Sequence, residues 1–285
     1  MIKKIFYFIQ ALIIYFLFLI GFILGLKLSR IFFASLFSLL GPFFRSRKVI
    51  EKNLNIFLPN ISIEKKNEII GNMWRNYGKT FIEYIFLKNF KQSNNHIKIK
   101  NKNYLETTLL GNEPVIFISG HFANFELMAM HIEKSGFDLC AIYRPLNNIF
   151  INKIMEKIRK KYICKNQIKK GIGGIKHLIN FTKKNYSTAL MIDQRVSEGT
   201  LSKFFDKEAY TTTIPAQLAK KFNMPIIPVH IQRLDNLNYK IKINKPLHFK
   251  ENSSIQYITD QLNMVLEEMV KINPNQWIWS HNRWK

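Results

Sequence analysis

Carboxylates are scarce in this chain: 19 Asp and Glu stand against 43 Lys and Arg, a formal charge of +24 at pH 7. A surface so charged draws polyanions: nucleic acid, anionic lipid head groups or an acidic carrier protein. Isoleucine, lysine, asparagine and phenylalanine are all abundant, so part of the lysine reflects base composition, but the field is the same whatever its origin. Cysteine is nearly absent. Cys140 and Cys164 sit in apolar surroundings, as Leu139-Cys140-Ala141-Ile142 and Tyr162-Ile163-Cys164. Two such residues make neither a disulfide framework nor a metal site, and read as buried free thiols in a reducing compartment. Clusters of metal-ligand residues are missing, so no metal is expected. No Gly-rich phosphate loop is present, because Gly171-Ile172-Gly173-Gly174 lacks both a flanking strand and a following Lys-Ser/Thr. No nucleophile elbow, internal repeat or low-complexity tract appears. Helix-turn-helix, zinc-finger and RNA-binding signatures are missing too, which removes nucleic acid from the expected partners.

What is present begins with a long apolar run. From Ile5 to Leu26 the chain is apolar or aromatic apart from Gln10. As a helix, 22 residues span about 33 Å, enough for a bilayer core of about 30 Å. A signal peptide would be shorter and end in a small-x-small site, whereas Lys27-Leu28-Ser29-Arg30 follows here. The run therefore predicts an uncleaved single-pass anchor. Lys3 and Lys4 precede it, while Lys27, Arg30, Arg45, Arg47 and Lys48 follow, which places the downstream side in the cytoplasm. A second apolar stretch, Ile31 to Phe44, is broken by Gly41-Pro42 and is too short to span comfortably. It reads equally as an interfacial helix or a core helix. The expected division is an anchor over 1–30 and a catalytic domain over 31–285.

A hydrophobic fraction of 47% excludes a disordered chain. Ser62 to Phe86 predicts a helix, and Lys88 to Asn103 a polar, basic loop or edge. Strand and helix then alternate. Strands are predicted at Val115–Ser119, Leu139–Tyr143, Ser187–Ile192, Ile226–Gln232 and Tyr239–Ile243. Helices are predicted at Phe122–Lys134, Phe150–Lys161, Ile172–Thr182, Pro215–Phe222 and Ile255–Ile272. That order argues for an α/β fold with a mixed, mainly parallel sheet flanked by helices.

Polar residues gather where these strands end. The first runs into Ser119-Gly120-His121-Phe122-Ala123-Asn124-Phe125-Glu126. Open α/β sheets place their chemistry at that edge. Five residues around a regular helix do not share a face. His121 must therefore lie in the turn if Glu126, on the first helical turn, is to hold its ring as a general base. The next strand ends at Tyr143-Arg144-Pro145, and the third at Asp193-Gln194-Arg195. Each alone reads as easily as a strand or turn cap; His, Arg and Asp delivered to one edge read as a site.

The order GHFANFE, IYRPLNN, MIDQR…KFFDKEAYTTTIPAQLAKKFNMPIIPV and the tail PNQWIWSHNRWK resembles the lipid A biosynthesis late acyltransferases. RSRKVIEKNLNIFLPN and MWRNYGKTFIEY extend the likeness over nearly the whole chain. The resemblance implies a glycerolipid-acyltransferase-like fold at the inner membrane. It also implies transfer of a fatty acyl chain from acyl carrier protein to a hydroxyl of a lipid A precursor, with no cofactor. His121 and Glu126 would then be catalytic. Arg144, Asp193, Asn124, Gln194 and Arg195 would bind substrate, the arginines gripping phosphate or carboxylate. Asp193 has two readings, a sugar hydroxyl or an orienting contact to Arg144. The basic, Trp-rich tail suits either the membrane interface or a packed core.

Some positions depart from the family pattern. Arg195 stands where an acid or Asn is frequent, and Asp206 and Pro215 where Gly is common. The Lys-rich segment Lys160–Lys170 lacks an arginine that many members carry. Two rivals remain: acyl transfer to glycerol phosphate or a lysophospholipid, by enzymes that usually carry Asp in the motif and lack this tail, and a non-catalytic basic membrane-associated binding protein. The second calls for none of the strand-end residues.

Overall fold

A computed structural model describes residues 2–234 and 237–285. Ten α-helices are described: α1 (Ile2–Phe44), α2 (Arg47–Phe57), α3 (Ile63–Glu83), α4 (Leu87–Gln92), α5 (Asn103–Leu110), α6 (Glu126–Lys134), α7 (Ile149–Ile158), α8 (Ile172–Lys183), α9 (Ile214–Phe222) and α10 (Ile255–Ile272). The strands are β1 (Ile97–Lys100), β2 (Ile116–Ser119), β3 (Leu139–Tyr143), β4 (Asn166–Lys169), β5 (Ser187–Met191), β6 (Thr200–Phe204), β7 (Lys207–Thr211), β8 (Ile226–Arg233) and β9 (Tyr239–Ile243). Seven form one sheet in the order β1-β9-β8-β2-β5-β3-β4, and β6 pairs with β7 alone. All neighbours in the large sheet are parallel except β8 and β9. The fold is the expected mixed, mainly parallel α/β sheet.

β2 sits at the centre of this sheet. Ile116, Phe117, Ile118 and Ser119 are all buried, as expected of a parallel strand covered on both faces. Ser119 pairs with Met191 of β5, so the two strands end side by side at their carboxyl ends. That register brings together the residues that follow each strand.

α1 is bent. Gly25 has φ 68° and ψ 170°, a left-handed value that favours glycine and divides the helix into residues 2–24 and 26–44. The second limb runs along α3, where Gly78 lets the Phe33 carbonyl approach so closely that a β-carbon would collide with it. Phe33 and Ala34 are buried on this side, while Ile31, Phe32, Leu39 and Leu40 are exposed. The core-helix reading of Ile31–Phe44 therefore holds for the face that carries Phe33 and Ala34. The boundary expected at residue 30 falls on Arg30, which is fully buried in an ion pair with Glu83 of α3 at 2.6 Å. α1 thus passes into the domain with no linker.

Candidate active site

His121 lies in the turn between β2 and α6, as its spacing required, but α6 begins only at Glu126. Residues before it form a loop held by distant groups. Ala123 has φ 45°, an uncommon left-handed value for alanine. Its carbonyl accepts from Thr80 Oγ1 at 3.0 Å and Asn76 Nδ2 at 3.5 Å, and its N–H donates to the Gln276 carbonyl at 3.0 Å. Four residues expected to be helical are therefore loop, because α3 and the C-terminal segment satisfy their backbone instead.

Asp193 follows β5 and reaches His121 directly, with His121 Nδ1 2.7 Å from Asp193 Oδ1. The other carboxylate oxygen accepts from the His121 backbone N–H at 2.7 Å and from Trp277 Nε1 at 2.9 Å. Asp193 is fully buried, and three donors satisfy it. Burial alone would raise its pKa, but the His121 charge and these hydrogen bonds outweigh it and hold the carboxyl below its ordinary 3.8. An ionised carboxylate only accepts, so His121 carries its proton on Nδ1 and presents Nε2 as a base. Burial likewise works against the imidazolium. The charge and hydrogen bond of Asp193, helped by the charge of Glu126, win and raise His121 above 6.5. Phe125 packs edge-on against the ring at 4.6 Å and limits its rotation.

Glu126 does not orient the ring; this corrects the expectation from the His-x4-Glu spacing. Its Oε1 accepts from Arg159 Nη2 at 2.6 Å, from Arg159 Nε at 2.9 Å and from the Tyr84 hydroxyl. Glu126 heads α6, and its carboxylate is engaged by the end of α7 and the turn after α3. Burial and the Glu126 charge push the Tyr84 phenol well above its usual range, which keeps it a donor. Arg159 stands one residue before the Lys-rich segment. It was missed because its partner lies 33 positions away. The motif MWRNYGKTFIEY, which supplies Asn76, Thr80, Glu83 and Tyr84, was the visible signal.

The remaining expected residues divide. Asn124 is buried, and its Nδ2 donates to Glu83 Oε2 at 2.7 Å, so it anchors the loop; its expected substrate contact is corrected on that ground. Arg144 is exposed after β3, and Asp193 is spent on His121, which removes both earlier readings of that carboxylate. Gln194 is half-buried. Arg195 donates its backbone N–H to His281 Nε2 at 2.9 Å and its Nε to the Lys285 carbonyl at 3.1 Å. Its guanidinium lies over the Tyr210 ring at 5.4 Å. Burial lowers His281 to about 4, which keeps the ring neutral and able to accept. Trp277, Trp279 and Trp284 are buried, so the tail is packed core and not an interface belt. Asn53 of α2 holds it by donating to the Trp279 and His281 carbonyls at 2.8 and 2.7 Å. Among the described residues, no group of three or more His, Cys, Asp or Glu is placed to hold a metal ion.

The model of the bacterial lipid A biosynthesis acyltransferase family matches residues 2–285. The chain belongs to that family. It is an acyltransferase of lipid A biosynthesis. It is similar to the lipid A biosynthesis palmitoleoyltransferase of Escherichia coli (strain K12), 21% identical over 254 residues covering 86% of this chain and 80% of the relative. Lipid A biosynthesis acyltransferase 2 of Shigella flexneri is 22% identical over 244 residues, covering 82% and 76%. Among solved structures, the 1-acyl-sn-glycerophosphate (LPA) acyltransferase PlsC from Thermotoga maritima aligns with a TM-score of 0.41 and 16% identity, covering 87% of this chain and 95% of that one.

Two departures of this acyltransferase from its family pattern have local explanations. Phe205 and Asp206 form the two-residue turn between β6 and β7, with φ 52° and 56°. Such a turn needs left-handed backbone, which Asp tolerates in place of Gly. Pro215 sits in the first turn of α9, where its missing N–H costs nothing.

Proposed function

We propose that this lipid A acyltransferase moves a fatty acyl chain from acyl carrier protein to a hydroxyl of a lipid A precursor, with His121 as general base. One observation carries the reading: Asp193 binds His121 Nδ1 at 2.7 Å and so leaves Nε2 as the base at the carboxyl edge of the sheet. The acceptor oxygen attacks the thioester carbonyl carbon while its proton passes to Nε2. The C–S bond then breaks, and the departing thiolate takes the proton from Nε2. The imidazolium formed between these events is stabilised by Asp193 and by the charge of Glu126. General base catalysis contributes typically about 10²–10⁴-fold. No enzyme nucleophile is consumed.

Arg144, exposed at the same edge, and Arg195, steadied by the Lys285 carbonyl and the Tyr210 ring, supply cations for phosphate or an acidic carrier. Gln194, next to the carboxylate, contributes a neutral contact. A charge of +24 favours both an acidic carrier and an anionic membrane surface. Attachment through α1 at the inner membrane, with the catalytic domain facing the cytoplasm, fits both.

The test is a purified-enzyme assay with acyl carrier protein or coenzyme A thioesters as donor. A lipid A precursor or a lysophospholipid serves as acceptor, and products are read by mass spectrometry. Acylated lipid A precursor from the carrier-protein donor, lost in His121→Ala, is expected. Preference for lysophospholipid would transfer the function to the glycerolipid reading. Near wild-type turnover by a folded His121→Ala would end the mechanism.

A further inference from the structure

Neighbouring residues of the C-terminal tail reach both members of the His121–Asp193 pair. The Gln276 carbonyl accepts the Ala123 backbone N–H at 3.0 Å, in the loop that carries His121. Trp277 Nε1 donates to Asp193 Oδ2 at 2.9 Å. Gln276 is itself pinned to the end of β8. Its Oε1 accepts the Arg233 backbone N–H at 2.8 Å, and its Nε2 donates to the Arg233 carbonyl at 2.8 Å. The Trp277 ring is wedged among other aromatics: Trp279 meets it edge-on at 4.6 Å, Phe204 lies at 5.8 Å and Trp284 at 6.4 Å. The indole is thereby seated with its N–H aimed at the carboxylate.

A carboxylate held at one oxygen turns easily, because its terminal torsion is soft. Asp193 Oδ1 faces His121 Nδ1 at 2.7 Å, so whatever fixes Oδ2 also fixes where Oδ1 points. The donors on Oδ2 are the His121 backbone N–H at 2.7 Å and Trp277 Nε1. The first belongs to the residue being held; the indole comes from outside the pair. A buried carboxylate needs such donors in place of water. Trp277 is 1% exposed and offers no surface to a substrate.

We infer that Trp277 is a positioning residue for acyl transfer: its indole N–H locks the Asp193 carboxylate in the orientation that meets His121 Nδ1 and draws off part of the charge that the imidazole feels. This role rests on the proposed reading of His121 as general base. It carries a sign. Without the indole N–H, the carboxylate keeps more of its charge for the imidazole and stabilises the imidazolium further. The acid limb of kcat/KM, where neutral imidazole forms, then moves to higher pH. A site that merely loosens acts oppositely, because a displaced carboxylate stabilises the imidazolium less. The other groups whose charges reach the pair are Glu126 of α6, Arg159 after α7, Tyr77 of α3, and His281 and Arg283 of the tail. Burial keeps Tyr77 and His281 uncharged around neutral pH, so neither adds a limb there.

Trp277→Phe keeps a ring in the seat and deletes the N–H. Trp279→Phe is the control, since that indole is equally buried and donates to the Pro274 carbonyl at 2.7 Å, away from Asp193. In Trp277→Phe the acid limb should rise by a few tenths of a pH unit, a fraction of the roughly one unit that a single donor is worth to a carboxylate. Its kcat should fall by less than the about 10²–10⁴-fold of a lost general base, because the Nδ1 contact survives. The acceptor KM should not change, and Trp279→Phe should leave the limb in place. A benzothiophene side chain at position 277, which keeps both rings and replaces the N–H by sulfur, gives the same reading should the smaller ring fail to fold. NMR titration of the His121 ring, identified by its absence from His121→Ala, follows the same shift without donor or acceptor. A limb and resonance that stay or fall in Trp277→Phe, or that Trp279→Phe reproduces, would overturn the role of Trp277 alone if His121→Ala is inactive. An active His121→Ala would remove the base, and the role of Trp277 with it.

Discussion

Arg159 and Glu126 form a fork-like contact, with both Nη2 and Nε of the guanidinium on Oε1 at 2.6 and 2.9 Å. The pair is nearly buried, the side chains 13% and 8% exposed. It ties the end of α7 to the start of α6, five residues beyond His121.

Glu126→Gln keeps the shape of that contact and removes its charge. We expect a lower thermal midpoint, because Arg159 loses its counter-ion, and a fall in the His121 pKa, because a charge that raised it is gone. The acid limb of the kcat/KM profile should move to lower pH, with turnover reduced less than in His121→Ala. An unchanged limb would show that Glu126 acts on Arg159 alone.

Asp193→Asn separates orientation from charge. The amide no longer demands a donor from Nδ1, so the tautomer is lost along with the charge that raised His121. Turnover should fall by about 10²–10⁴-fold, the range of a general base out of place. General base action needs neutral imidazole. In the wild type, activity therefore rises with pH through a His121 pKa above 6.5. In the variant, that limb moves down. A pH–rate series on both proteins reads the two effects independently.

Glu83 is the countercharge of a buried network. It binds Arg30 and Arg233 and accepts from Tyr239 and Asn124. Burial alone would raise its carboxyl, but the two arginines outweigh that and hold it at about 2, below the ordinary 4.5. Its contribution to stability is thus present above pH 4.5 and is lost as the pH falls towards 2. Glu83→Gln leaves two buried cations short of charge and should cost about 3–5 kcal/mol at neutral pH. Unfolding midpoints across this acid range should fall in the wild type and be flatter in the variant.

Arg144→Lys distinguishes a planar contact from a point charge. The side chain is free to meet a phosphate by paired hydrogen bonds, which lysine cannot copy. Arg144→Ala should raise the acceptor KM, and Arg144→Lys should recover only part of it. Full recovery would reduce Arg144 to a local cation.

The sheet was legible because its signals are local. Leu139–Tyr143, Tyr239–Ile243 and Ile255–Ile272 have the bounds that apolar patterning predicts. β1 was hidden because Lys98 and Lys100 alternate outward on an edge strand, so only Ile97 and Ile99 carry pattern. The β6–β7 hairpin was hidden because Phe205-Asp206 is an unusual turn pair. In the site, His121 was legible from the corner it occupies. Its partner was not, since Asp193 lies 72 residues away and only the β2–β5 register brings them together. Glu126 drew attention by spacing, yet the loop held by Thr80, Asn76 and Gln276 decides where it points.

Trp277 adds an order of events. The Asp193 carboxylate that holds His121 has three donors, and one belongs to an indole 84 positions further along the chain. During synthesis, β2, β5 and the turn that carries His121 have left the ribosome long before that indole exists. A nascent chain can therefore hold Asp193 and His121 side by side before either is fully fixed, and the arrangement is completed only when residues 273–284 dock.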